Sequence, residues 1–277
     1  MAGVYQMELK TLKGVYFSPT GTTKAVVKSI ARGINYANVE LIDITKPLCR
    51  AQSFETGNDE LLIVAVPVYM GRVPSVLTDW LSTIKANNTP TVCVVVYGNR
   101  AFDDALLELN DMLVVCGCKP IAGAAFIGEH SFSSTELPSS VGRPDTNDLH
   151  LAEMFGHKID EILKSASSVN SIGNIGLPGN LPYGGMKNLW HLDFIEVNDS
   201  CSHCGICATV CPVGAIDSEN SSLIDKDKCT LCCACIKKCQ KNSRTIKPGP
   251  MRDAAIRCTN FIERKEPEYF FHSSKCK

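Results

Sequence analysis

The strongest constraint on this chain is a repeated cysteine spacing. Cys201, Cys204, Cys207 and Cys211 follow C-x2-C-x2-C-x3-C, and Cys229, Cys232, Cys235 and Cys239 repeat it. Three thiols at three-residue intervals on a tight loop converge on three corners of one iron–sulfur cubane, leaving the fourth corner to a ligand from elsewhere. Structural zinc takes four ligands, usually as two separated pairs, so this tandem spacing has no simple zinc account. A disulfide framework does not suit it either. Fifteen cysteines is an odd number, eleven fall after residue 200, and 277 residues is far longer than a small disulfide-held scaffold. Thiolates held for metal are the reading that remains.

From about Glu196 to Lys247 the sequence resembles bacterial-type two-cluster ferredoxins, including the run CPVGAI (Cys211–Ile216) after the first motif. The resemblance implies that each motif lends its last cysteine to the other motif's cluster. One [4Fe-4S] cluster is then expected on Cys201, Cys204, Cys207 and Cys239, and a second on Cys229, Cys232, Cys235 and Cys211. The second motif departs from the family in having Gln240, not proline, after Cys239. That removes a turn signal but no ligand. Cys233 lies inside the second motif as a free thiol or a swap ligand, and Cys49, Cys93, Cys116, Cys118, Cys258 and Cys276 read as ordinary cysteines. The half containing Lys237, Lys238, Lys241, Arg244 and Lys247 is locally basic. It is either a solvated face or a set of charges that raises one cluster's potential or meets an acidic partner.

Residues 1–168 read differently. Short apolar runs at Leu12–Phe17, Val39–Asp43, Leu61–Val66, Thr91–Tyr97 and Pro120–Ile127 alternate with helical patterns at Thr23–Ile34, Ser75–Ile84, Asp103–Cys116 and Asn147–Leu163. Strands apolar on both faces belong in a parallel sheet covered by helices. The expected fold class is therefore α/β, a doubly wound sheet for which 2-1-3-4-5 is a common order. Ser165–Asn188 is dense in Ser, Asn, Gly and Pro and reads as a linker or a wrapping segment. The expected organisation is a sheet domain over 1–168, a linker over 169–195, a small α+β cluster domain over 196–247 and a tail over 248–277. In the tail only a helix near Met251–Arg257 is expected.

The first strand runs into VYFSPTGTTK, Val15 to Lys24. It is neither a Walker loop nor a G-x-G-x-x-G fingerprint. Ser18, Thr20, Thr22 and Thr23 can donate hydroxyl hydrogen bonds, Gly21 allows close backbone approach, and the helix N-terminus supplies free amides. That suits a monoester dianion bound without a basic side chain.

Over about the first 165 residues this pattern resembles the flavodoxins. The resemblance implies that the anion is the phosphate of FMN and that two further loops wall the isoalloxazine. These are Pro67, Val68, Tyr69, Met70 and Gly71 after the third strand, and Tyr97, Gly98, Asn99 and Phe102 after the fourth. Tyr69 and Tyr97 are each either a ring cover or a packing aromatic. Gly71 would let the Met70–Gly71 peptide turn a carbonyl to flavin N5 when a one-electron-reduced flavin gains its proton. His130, after the fifth strand, is either a proton donor at the flavin or a surface histidine.

A formal net charge of −1 gives no case for nucleic-acid binding. MAGVYQMELKTLKG lacks the apolar centre of a signal peptide, and LLIVAVPVYM (Leu61–Met70) is too short to span a bilayer. A soluble, cytoplasmic protein is expected. Joined, the two halves resemble the flavodoxin–ferredoxin fusion proteins of anaerobic bacteria and archaea, the EFR-family ferredoxins. The resemblance implies electron transfer between an external redox protein partner, two [4Fe-4S] clusters and FMN. The rival is an iron–sulfur flavoenzyme that reduces a small acceptor such as a quinone or nitro compound. Whether the chain forms a homodimer is left open.

Overall fold

The computed structural model describes residues 9–185 and 191–272. It opens with β1 (Thr11–Tyr16), α1 (Thr22–Ile34), β2 (Val39–Asp43), β3 (Glu55–Thr56) and β4 (Glu60–Pro67). There follow α2 (Thr78–Ser82), β5 (Lys85–Ala86), β6 (Thr89–Tyr97), α3 (Ala105–Val115), β7 (Cys118–Ile127) and α4 (Thr146–Ser165). Among the described residues the two-residue strands β3 and β5 pair only with each other. The main sheet runs β2-β1-β4-β6-β7, all parallel. Those five strands have the expected 2-1-3-4-5 order, the flavodoxin-like doubly wound arrangement.

Side chains alternate across each strand, and each face meets its own pair of helices. On one face Val26, Val27 and Ile30 of α1 and Phe155 and Ile159 of α4 cover Leu61, Ile63, Val92 and Val94. On the other, Trp80 and Leu81 of α2 and Leu106, Leu109 and Leu113 of α3 cover Leu62, Val64, Cys93 and Val95. Each such fully buried aliphatic contributes about 1.5–3 kcal/mol. Backbone meets backbone between α1 and α4. A Cβ on Gly33 would stand 1.9 Å from the Glu153 carbonyl oxygen, and one on Gly156 2.2 Å from that of Ile30.

The helix expected over Ser75–Ile84 is shorter, a 3-10 turn at Ser75–Leu77 running into α2. Ser82 and Thr83 hydroxyls donate to the carbonyls of Asp79 and Trp80, which ends it. The Ser- and Gly-rich segment wraps rather than dangles. The amides of Asn180 and Gly184 donate to the Asp104 carboxylate, and the Tyr183 hydroxyl donates to Asp111 at 2.6 Å.

Beyond it lie β8 (Ile195–Val197), α5 (Ile206–Val210), α6 (Ala234–Lys237) and β9 (Arg244–Ile246), with β8 and β9 antiparallel. Their small core gathers Phe194, Ile195, Ile216, Leu231 and Met251, with Phe132 packed on it from the loop after β7. Met251 belongs to α7 (Pro250–Cys258), the helix expected in the tail. The tail then returns to the sheet. Its β10 (Glu268–Phe271) pairs antiparallel with β7 as a sixth strand that local sequence did not announce. Phe271 packs toward the α4 face and Phe270 toward the α3 face. Cys276 lies outside the described residues. Among those described, no helix is long and apolar enough to cross a membrane.

Candidate functional site

The eight cysteines of the two motifs sort into two cavities. One is lined by Cys201, Cys204, Cys207 and Cys239, the other by Cys211, Cys229, Cys232 and Cys235. Each cavity therefore draws three thiols from one motif and the last cysteine of the other. Two left-handed residues, Gly205 and Cys233, turn the chain into the one-turn helices α5 and α6 that carry the third thiols. Among the described residues every cysteine is a free thiol. No group of three or more His, Cys, Asp and Glu there is placed to hold a single metal ion.

An all-sulfur donor set with hydrogen bonds aimed at it fits an iron–sulfur cluster. The Ala215 amide donates to Cys211 Sγ at 3.2 Å, the Arg244 guanidinium to Cys207 Sγ at 3.3 Å, and Ser243 Oγ lies 3.1 Å from Cys239 Sγ. Burial pushes the bare Cys232 and Cys235 thiols up to about 12. Only a positively charged centre would hold them as thiolates there. Cys233 also lines the second cavity, fully buried, with its Sγ toward the Leu231 carbonyl.

At the carboxyl edge of β1, Gly21 caps α1 at φ 100° with open space around its Cα. Ser18 Oγ accepts from the Lys24 amide at 3.0 Å and so keeps its own proton to donate. The amides of Thr22 and Thr23 have no partner among the described residues, and neither does the buried Thr23 hydroxyl. Lys24 points away toward Asp43. Unspent donors at a helix N-terminus fit a phosphate monoester.

The loop after β4 is a tight hairpin. Tyr69 and Arg72 exchange backbone hydrogen bonds of 3.0 Å around Met70 and Gly71, both at positive φ. Pro67 ends β4, and Val68 extends its ladder by donating to Val96. The Met70 carbonyl faces Gly185 of the wrapping segment, where a Cβ would stand 2.4 Å away, and Gly71 backs onto Asp103. Glu108 of α3 pins the hairpin, accepting from Arg72 Nε and Nη2 and from the Val73 amide. Sequence reading missed Glu108, since a lone Glu on an amphipathic helix reads as surface.

The loop after β6 corrects several expectations. Tyr97 is buried in the α3-side core against Phe102, with ring centroids 5.6 Å apart, so it packs and does not cover a ring face. The strand alternation that buries Cys93 and Val95 carries Tyr97 inward with them. Phe102 is core too, and also meets Phe270. Asn99 spends its amide on the tail, donating to the carbonyls of Phe261 and Glu263 at 2.8 Å each. Gly98 lies against the His130 ring. His130 is neither a surface group nor a ready acid. Burial lowers it to about 4, Nδ1 accepts from the Phe132 amide, and Nε2 meets Cys258 Sγ.

The cysteine segment docks on this same edge. Arg50, held by the carbonyls of Ile44 and Thr45, donates to the Pro212 carbonyl beside Cys211 at 2.6 Å. Lys237 pairs with Glu129. The Tyr69 phenol is pushed well above its ordinary value, by burial first and then by the thiols of Cys232, Cys233 and Cys229. The second thiol cavity thus neighbours the hairpin at the sheet's carboxyl edge.

Residues 195–217 match the family model of the 4Fe-4S binding domain, which covers the first motif. No curated protein matches the chain. Among solved structures the chain is similar to a flavodoxin from the domain Archaea, at 16% identity over 56% of this chain and 99% of that one, TM-score 0.39. It is also similar to a Fusobacterium nucleatum flavodoxin bound to flavin mononucleotide, at 16% identity over 55% and 98%, TM-score 0.38. An NADH:FMN oxidoreductase in apo form is similar at 13% identity over 57% and 91%, TM-score 0.39. The chain joins a flavodoxin-like sheet to a 4Fe-4S binding segment, the arrangement of a flavodoxin–ferredoxin fusion.

Proposed function

We propose that this protein transfers electrons between an external redox partner, two [4Fe-4S] clusters and FMN. The observation that carries the reading is the docking of the cysteine segment, through the Arg50–Pro212 hydrogen bond and the Lys237–Glu129 pair, at the sheet edge that holds the hydroxyl loop. Open α/β sheets bind ligands at that edge, and in the 2-1-3-4-5 order FMN sits at the switch point between the first and third strands. In this chain that point lies between β1 and β4.

The proposed ligand sets are Cys201, Cys204, Cys207 and Cys239 for one cluster, and Cys211, Cys229, Cys232 and Cys235 for the other. Ser18, Thr20, Gly21, Thr22 and Thr23 hold the phosphate. When bound, the clusters pass single electrons and the flavin stores one or two. The protein's own work is to hold the thiols in two converging sets, to supply neutral donors to the phosphate, and to keep both sites adjacent without a diffusional encounter. The rival enzyme reading needs an open pocket over the ring and a proton donor, for which His130 was the candidate. A buried imidazole that is neutral at physiological pH and engaged at both nitrogens is poorly suited to that task.

Anaerobic purification with iron, acid-labile sulfide, zinc and flavin assays tests the proposal. It requires ~8 iron, ~8 sulfide and one flavin per chain. Zinc at the thiols, or no flavin uptake on incubation with FMN, would overturn it.

A further inference from the structure

The two motifs are sequence repeats, yet they furnish their cavities differently. After Cys211 the chain reads Pro212, Val213, Gly214, Ala215, Ile216; after Cys239 it reads Gln240, Lys241, Asn242, Ser243, Arg244. The two stretches make the same turn, because Gly214 and Asn242 occupy matching positions at φ 60° and 49°. Where one repeat has Ala215 and Ile216, the other has Ser243 and Arg244. Each stretch also lines the cavity of its own last cysteine. Pro212, Val213, Ala215 and Ile216, with Ile195 and Ile224, surround the second thiol set. Lys241, Ser243 and Arg244, with Ser221, surround the first.

Arg244 is the informative residue. It is only 2% exposed, and its guanidinium donates to the Ser221 carbonyl at 2.8 and 3.0 Å and to Cys207 Sγ at 3.3 Å. Its Nε has no partner, and no carboxylate pairs with it among the described residues. A guanidinium cannot shed its charge to escape burial, and an isolated buried charge is costly. The anionic group this pocket can offer is a cluster held by Cys201, Cys204, Cys207 and Cys239.

We infer that Arg244, assisted by Ser243, is a tuning residue that sets the first-cavity cluster at a higher reduction potential than its twin. The inference rests on the two-cluster reading above. A four-thiolate cluster is anionic and becomes more so on gaining an electron, so a buried cation and donors to its sulfurs favour the reduced form. The second cavity offers its thiols neutral donors such as the Ala215 amide, and among the described residues no buried cation hydrogen-bonds to them. Arg244 stands close enough to Cys235 to act on it through space, but the thiol it hydrogen-bonds is Cys207 of the first set. At equilibrium a single electron on the pair rests in the first cavity.

The test is an anaerobic redox titration of the full-length holoprotein followed by electron paramagnetic resonance, with Cys204→Ser marking the first-cavity signal. The wild type should show two midpoints separated by at least a tenfold ratio of equilibrium constants, about 59 mV for one electron. Arg244→Ile, which copies the other repeat, should lower the first-cavity midpoint by the equivalent of at least a tenfold equilibrium constant, about 59 mV, and move the other less. If that variant fails to assemble, Ser243→Ala and Arg244→Lys replace it. Ser243→Ala should lower only the first-cavity midpoint, and Arg244→Lys should keep the split. A single shared midpoint in the wild type overturns the inference, as do equal shifts of both midpoints or no shift in any variant. Metal analysis of the same sample separates the two failures. Fewer than about eight irons defeats the two-cluster reading; about eight irons with one shared midpoint defeats only the inference.

Discussion

Replacing Glu108 should loosen the hairpin that the flavin proposal depends on. Its carboxylate takes two hydrogen bonds from Arg72, at 2.8 and 2.7 Å, and one from the Val73 amide at 2.9 Å. The Arg72 and Glu108 side chains are 11% and 7% exposed. Removing one partner of a buried ion pair typically costs about 3–5 kcal/mol, because the other charge stays buried. Losing the bond to the Val73 amide adds about 1 kcal/mol. Arg72 keeps the face of Tyr183, 5.0 Å below it, in wild type and variant alike, so that contact cancels in the difference. Glu108→Ala should therefore cost about 5 kcal/mol. At a urea dependence of about 2 kcal/mol per molar, the midpoint should fall by about 2.5 M. Glu108→Gln keeps the shape and one acceptor and should lose roughly half of that. The assay is urea unfolding of anaerobic holoprotein followed by circular dichroism. Midpoints within about 0.5 M of wild type for both variants would refute the argument that the pair is buried and holds the hairpin.

Two further outcomes follow from the packing. His130 is neutral in the folded protein down to about pH 4 but takes a proton near pH 6.5 when unfolded. Between those values the unfolded state binds the extra proton. Its contribution is complete above about pH 6.5 and is lost at up to ~1.4 kcal/mol per unit as pH falls toward 4. Thermal unfolding at pH 7.5 and 5.5 should show a smaller acid loss in His130→Asn, and identical pH dependence in both proteins would refute this. Gly156→Ala places a methyl 2.2 Å from the Ile30 carbonyl where α1 and α4 touch. It should cost about 3 kcal/mol or abolish folding, and a loss under about 1 kcal/mol would mean that the two helices part freely.

The sequence alone carried the α/β alternation and the two cysteine motifs, because each is a local periodicity or spacing; the five-strand order was expected only as the common order of such a sheet. Val15 to Lys24 announced a strand, a hydroxyl-rich loop and a helix without reference to anything distant. Tyr97 and Phe102 were misleading because an aromatic beside a loop has one local signature whether it faces a ligand or the core. Only packing separates those cases.

Tertiary structure decided what depends on residues far apart in the chain. The return of Glu268–Phe271 to pair with β7, the capture of tail carbonyls by Asn99 and the pinning of Arg72 by Glu108 all join such segments. So does the sorting of the eight thiols into two mixed sets, and the burial of Arg244 beside one of them. Spacing along a chain fixes which groups can reach a common centre. Which charge is stranded beside that centre follows from how water is excluded when separate segments close together, and no single stretch of sequence contains that.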